Sequence, residues 1–238
     1  MTPDPLVDRF ATPLDTQTEA ARYLGVPSST FRAWSRGYRV HRPNGDVTGE
    51  PVITSLDAPR GEASVPFVGL AEGYALTAIR RAGVPLQRIR PAIAELGSQL
   101  GVTHALASKR LFTDGVEVLF DYAEHVCGDE ARAVRELVVI RNGQRVFNEA
   151  VDAHPRRVGF APDGYATTLP LVGFRRAQVL ADANRSFGQP IFARGGARLS
   201  DALGLFRAGE DISVVAEEYG VPRDEIEDAI RQSLPTTA

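Results

Sequence analysis

Cysteine is nearly absent from this 238-residue chain. The single Cys127 excludes an internal disulfide and any zinc site built from several cysteines. Lysine is as scarce: of 27 basic side chains only Lys109 is not arginine, so phosphate or carboxylate contacts would have the forked, bidentate geometry of guanidinium. There is one tryptophan, Trp34. No run approaches the ~18 apolar residues of a membrane-spanning helix. The opening stretch MTPDPLVDRF has acids and prolines where a secretory signal has basic residues and an apolar core. A cytoplasmic protein without membrane association is expected.

Catalytic patterns are missing too. The four histidines, His41, His104, His125 and His154, stand apart from one another, and His125 with Cys127 gives only two metal ligands. The chain has no phosphate-binding loop, no G-x-G-x-x-G and no G-x-S-x-G. Asp114, Glu117, Asp121 and Glu124 fall on one face of a possible helix and could bind Mg²⁺; such a stripe is more often a solvated face. No catalytic residue, metal or cofactor is expected, and the protein is read as a non-enzyme.

What is present is a packed-core composition, 43% hydrophobic and 24% charged, with a charge asymmetry along the chain. Five arginines (22, 32, 36, 39 and 42) stand against the single acid Glu19 between positions 19 and 42. From Leu199 onward nine acids face three arginines. The two ends are therefore suited to different partners.

Gly-Val-Pro occurs three times, at 25–27, 83–85 and 220–222, each time between segments of helical periodicity. Glycine takes the left-handed conformation that ends a helix, and proline suits the first turn of the next. The second joint reads as an ordinary corner between helices. The first follows Thr16-Gln17-Thr18-Glu19, a capping box, and precedes Ser28-Ser29-Thr30, which open a short second helix carrying Phe31 and Trp34 on its core face. A recognition helix meets the major groove through its N-terminal half. Ser28, Ser29, Thr30 and Arg32 are the expected base-edge and backbone contacts, with Arg36, Arg39 and Arg42 as phosphate clamps.

Residues 38–66, rich in Gly, Pro and Asp, read as a loop or wing with short β-prone pieces such as Pro51-Val52-Ile53-Thr54. Helices are expected at 68–82 and 86–96. A β-hairpin is expected at 136–147, where Asn142-Gly143 favours a type I′ turn. A strand is expected near 177–182 and helices at about 199–208, 212–219 and 223–233. The last helix carries Asp224, Glu225, Glu227 and Asp228, so duplex DNA would repel it; it reads as a protein-binding, dimerising or simply solvated acidic face. The expected fold is α+β and mainly α-helical: an N-terminal winged helix–turn–helix (1–100), a central α+β region with the β-hairpin (101–176), and a C-terminal three-helix module (177–238).

Two segments resemble known modules. Ala20-Ala21-Arg22-Tyr23-Leu24-Gly25-Val26-Pro27 with Thr30-Phe31-Arg32-Ala33-Trp34, followed by Ala78-Ile79-Arg80-Arg81-Ala82-Gly83-Val84-Pro85 and Ile89-Arg90, resembles a MerR-type winged helix–turn–helix. Phe187-Gly188-Gln189-Pro190-Ile191-Phe192, Arg194-Gly195-Gly196, Ala208-Gly209-Glu210-Asp211 and Glu217-Glu218-Tyr219-Gly220-Val221 resemble a small antitoxin-associated domain. The sequence departs from that pattern at Gly195-Gly196-Ala197, where many members have Gly-Thr followed by Arg. In this order the modules are similar to the long VapB-like antitoxins of actinobacterial toxin–antitoxin pairs. The resemblance implies a protein that binds double-stranded operator DNA to repress its own operon and neutralises a cognate toxin, commonly a PIN-type ribonuclease. A homodimer is expected, since two half-sites about 34 Å apart double the contacts to a palindromic operator. Arginines suit the acidic metal site of such a toxin, and Arg156, Arg157, Arg175 and Arg176 are the candidates. The alternatives are a ligand-responsive transcriptional regulator without a toxin partner, a metal-dependent enzyme using the 114–124 stripe, and an adaptor without DNA contact.

Overall fold

The computed structural model describes residues 7–41, 45–81, 90, 93, 97–98, 101–113 and 158–233. Over these residues the chain is α+β and mainly helical. It divides into two units, one from the described parts of Met1–Phe31, Leu56–Phe67 and Thr167–Ala238, the other from those of Arg32–Ser55 and Val68–Ala166.

In the first unit Thr16 and Glu19 form the expected capping box: the Glu19 N–H donates to Thr16 Oγ1 at 3.2 Å and the Thr16 N–H to Glu19 Oε2 at 2.9 Å. They open helix α1, Gln17–Tyr23, which buries Ala20, Ala21 and Tyr23. Before it, strand β1 (Pro13–Asp15) pairs antiparallel with β4 (Val65–Pro66), the latter numbered in chain order after a hairpin of the second unit, β2 (Tyr38–Val40) and β3 (Val47–Gly49). Strands this short give no sequence signal, and β1 and β4 were not anticipated. Further on, β6 (Ala166–Pro170), β7 (Val179–Asp182) and β8 (Pro190–Phe192) form an antiparallel meander with Leu169 opposite Ala181 and Leu180 opposite Ile191. All four of these side chains are buried.

The C-terminal helices fall where their caps put them. With the helices numbered in chain order, these are α5 (Leu199–Arg207), α6 (Ile212–Tyr219) and α7 (Arg223–Ser233). Asp211 caps α6 by accepting the Ser213 N–H at 2.7 Å, and Gly220 ends it in the left-handed conformation at φ 62. Leu199, Ala202, Leu203, Val215, Val221, Ile226, Ala229 and Ile230 supply the apolar interior of this module.

The acidic face expected on α7 is corrected by this packing. Asp224 is exposed and Glu227 pairs with Arg223 at 3.0 Å, but Glu225 and Asp228 are buried. Asp228 Oδ2 accepts the backbone N–H groups of Arg175, Arg176 and Ala177 at 2.8, 2.7 and 3.0 Å, and Glu225 Oε2 accepts that of Gln178 at 2.9 Å. Burial alone would raise the Asp228 pKa; the three N–H donors, together with a side-chain hydrogen bond from Gln232, outweigh it and hold the carboxyl below its ordinary value. The same 171–178 segment reaches α1. The Gly173 N–H donates to Tyr23 O at 2.8 Å, and Phe174 stacks on Tyr23 with ring centroids 6.4 Å apart. Arg22 Nη1 donates to Ser233 O, at the carbonyl end of α7. Helix α1, the 171–178 segment and α7 are thus one hydrogen-bonded block.

The second unit holds the β2–β3 hairpin, with Arg39 opposite Thr48. It also holds α3 (Phe67–Arg81) beyond its first residue, a 3₁₀ turn at Ala105–Ala107, α4 (Lys109–Thr113) and β5 (Gly159–Phe160). Helix α3 is buried from Phe67 to Ile79, as an apolar sequence without a polar stripe requires. Its buried Glu72 accepts the Thr54 N–H and pairs with His104 Nδ1 at 2.9 Å; the Tyr165 ring lies edge-on to His104. The β-prone 51–54 piece forms no strand. The N–H groups of Val52 and Ile53 both donate to Trp34 O, satisfying a helix-end carbonyl instead.

The second Gly-Val-Pro joint, nearly all of 86–96, the carboxylates Asp114, Glu117, Asp121 and Glu124, His125 with Cys127, and the 136–147 hairpin lie outside the described residues.

Candidate nucleic-acid interface

Helix α2, Ser28–Arg36, follows α1 through the first Gly-Val-Pro joint. Gly25 is left-handed at φ 65, and the Val26 N–H closes onto Ala21 O at 2.9 Å. This is the helix-ending geometry that glycine adopts without a Cβ clash. The Phe31 N–H then donates to Pro27 O, so the new helix begins directly at the proline.

Two faces of α2 are sharply distinguished. Phe31 and Trp34 are 0% and 1% exposed, and Ser35 is buried beside them. Ser29, Arg32 and Arg36 are exposed at spacings of three and four, so they form a single stripe opposite the buried face. Ser28 and Thr30 are half-buried at the helix start. No acidic side chain occurs in the first turn, which leaves the partial positive charge of the N-terminus uncompensated there. Arg39 is exposed on β2 of the following hairpin. Arg42 lies outside the described residues. Of the expected contacts, then, Ser29, Arg32 and Arg36 share one face, Ser28 and Thr30 flank it, and Arg39 stands on the hairpin.

Two arginines of the MerR-like motif that are not among the expected DNA contacts also pack in this region. The Arg80 guanidinium lies 5.7 Å from the Trp34 ring centroid, and that of Arg90 lies 5.3 Å from the Tyr38 ring. Arg80 and Arg81, both exposed, end α3. The motif itself was the available signal, but the packing of Arg80 on Trp34 and of Arg90 on Tyr38 depends on contacts distant in sequence.

At the end of β1, just before the α1 cap, Asp15 is 4% exposed. Burial, with a smaller contribution from Glu19 and against Arg22, pushes its carboxyl up to about 7. The other expected contact set is divided: Arg175 and Arg176 are exposed on the segment held by Asp228, while Arg156 and Arg157 lie outside the described residues. Among the described residues no group of three or more His, Cys, Asp or Glu could hold a metal ion, and no helix is long and apolar enough to cross a membrane.

A capped first helix, a left-handed joint, a basic second helix and a β-hairpin define the class: a protein with an N-terminal helix–turn–helix domain. Residues 13–93 match the family model described as "Putative DNA-binding HTH domain". The chain is 45% identical over 227 residues to "Putative antitoxin VapB45" of Mycobacterium tuberculosis, spanning 93% of this chain and 94% of that protein. It is also 28% identical over 221 residues to "Uncharacterized protein Rv2308" of the same organism, spanning 89% of this chain and 86% of that one. The X-ray crystal structure of Rv2018 from Mycobacterium tuberculosis shares the fold with a TM-score of 0.73 and 44% identity, covering 93% of this chain and 99% of that one. The chain belongs to the family of the VapB45 protein.

Proposed function

We propose that this protein is the DNA-binding antitoxin of a type II toxin–antitoxin pair. It binds double-stranded operator DNA to repress its own operon and neutralises a cognate toxin of the PIN ribonuclease type. The observation that carries the DNA-binding half is the exposed Ser29–Arg32–Arg36 stripe, set opposite buried Phe31 and Trp34. Ser28, Ser29, Thr30 and Arg32 read base edges and neighbouring phosphates from the major groove, and Arg36, Arg39 and Arg42 clamp the backbone. The β2–β3 hairpin serves as the wing of a MerR-type reader. A homodimer presents two such readers to half-sites about 34 Å apart.

The antitoxin half rests on the family of the chain. In this reading the chain works as a reader over 1–100, a central region over 101–176 and an antitoxin-associated module over 177–238. Arg156, Arg157, Arg175 and Arg176 are the arginines offered to the toxin's acidic metal site. The protein acts without chemistry of its own, in the cytoplasm, and needs no cofactor.

The test is a gel-shift salt series with upstream DNA. Arg32→Ala is expected to weaken operator binding by about tenfold to a hundredfold and relax sequence preference, as loss of a base-reading arginine does. Unchanged affinity and footprint would remove α2 as the reader. Co-purification with the product of the adjacent gene tests the toxin partner.

A further inference from the structure

One turn of the C-terminal module violates two stability preferences at the same residue. Ser186, Phe187 and Gly188 are successive left-handed residues, with φ of 48, 57 and 77. Among the described residues Ser186 and Phe187 are the non-glycine positions with positive φ, where an L side chain crowds its own carbonyl. Glycine would adopt this conformation without that penalty. Phe187 is also 42% exposed, although aromatic rings normally go inside.

The turn is firmly held. The Arg185, Gly188 and Gln189 N–H groups donate to Asp182 O, Arg185 O and Ser186 O at 3.0, 2.9 and 3.1 Å. A side chain at 188 would strike Leu14. Strain that the surroundings impose on an exposed side chain points to use of that side chain.

One arginine lies over the ring and two more are exposed close by in the chain. The Arg198 guanidinium lies 5.5 Å from its centroid, and Arg185 and Arg194 are exposed on the adjoining turns. The surroundings are not uniformly basic: Asp201 is exposed one turn from Arg198, and Arg194 lies 3.8 Å from buried Glu225. A nucleic-acid backbone calls for an unbroken positive track. A projecting aromatic with flanking arginines and interspersed acids is instead the composition of a protein hot spot.

We infer that the Phe187 ring with Arg185 and Arg198 is a docking surface for a protein partner that offers an apolar recess rimmed by carboxylates. The inference rests on the toxin–antitoxin reading, so the partner is the cognate toxin. Phe187 fills the recess and the guanidinium groups pair with its rim. Operator DNA is bound elsewhere.

The test uses the full chain and the purified product of the adjacent gene. Phe187→Gly removes the ring and relieves the backbone at once. It is expected to keep or raise Tm, leave the operator shift unchanged, and weaken partner binding at least tenfold. Arg198→Ala is expected to weaken partner binding several-fold without touching the operator shift. Undiminished partner binding by Phe187→Gly would overturn the assignment. So would a fall in Tm, which would make the ring a packing element, or loss of operator binding with partner binding intact. If the wild-type chain fails to bind the adjacent product, the toxin-partner reading itself falls, and this surface with it.

Discussion

The first and third Gly-Val-Pro joints have the same backbone logic and opposite outcomes. Gly25 and Gly220 are both left-handed, at φ 65 and 62, and each releases the chain into a helix that starts at or just after the proline. After Gly25 the helix turns arginines to solvent and aromatics inward. After Gly220 it turns two carboxylates inward, where they bind the backbone of another segment. The joint shape alone therefore carries no function. What decides is which charges the helix faces expose and which they bury. Buried carboxylates repeat the contrast: Asp228 is held low by three backbone donors, whereas Asp15 is pushed up to about 7 by burial.

The largest expected effect breaks the third joint's helix from its anchor. Asp228→Ala leaves three buried or half-buried N–H groups without their acceptor and should cost on the order of 3–5 kcal/mol in denaturant unfolding. A depressed folded pKa contributes stability that is present above the unfolded value and lost as pH falls through the folded one. Wild-type stability should therefore decline on acidification below about pH 4, and the variant should show a shallower decline. A cost under about 1 kcal/mol would mean that the segment is held by other contacts.

Asp15→Asn has the opposite sign. The raised pKa means that the folded state binds more protons, so wild-type stability should fall as pH rises from about 4 to 7. The amide removes that slope and should stabilise the chain by about 2–3 kcal/mol at pH 8, less than the full shift because a buried amide has its own desolvation cost. Equal pH slopes for wild type and variant would refute the assignment. The smallest effect sharpens the first joint. Arg36→Ala should weaken operator binding a few-fold on all sequences alike and lower the salt slope by about 1, as loss of a single phosphate contact does.

How far the sequence revealed this arrangement follows from distance along the chain. Helices α5, α6 and α7 were legible to within a residue because their signals, Asp211, Gly220 and Pro222, are local. So were the capping box at Thr16 and the inward pair Phe31 and Trp34. The strand pairing of Pro13–Asp15 was hidden because three residues carry no periodicity and the partner lies some fifty positions away. The acidic α7 misled for the same reason. Glu225 and Asp228 share a face with Ile226 and Ala229, but the N–H groups that make burial tolerable come from 47 to 53 residues earlier. At the candidate interface the stripe Ser29, Arg32 and Arg36 was readable from helical spacing. The contribution of Arg80 was not, since it depends on α3 meeting Trp34.

Trp34 has one more consequence. It is the chain's sole indole, it sits in α2, and it is shielded from water with a guanidinium over its ring. The protein thus carries an intrinsic fluorophore in the helix assigned to reading DNA. A red shift of its emission marks exposure of that helix, while far-ultraviolet circular dichroism follows every helix together. Melting curves that coincide by both signals would identify one cooperative transition, and curves that separate would time the release of the reader against the rest of the chain.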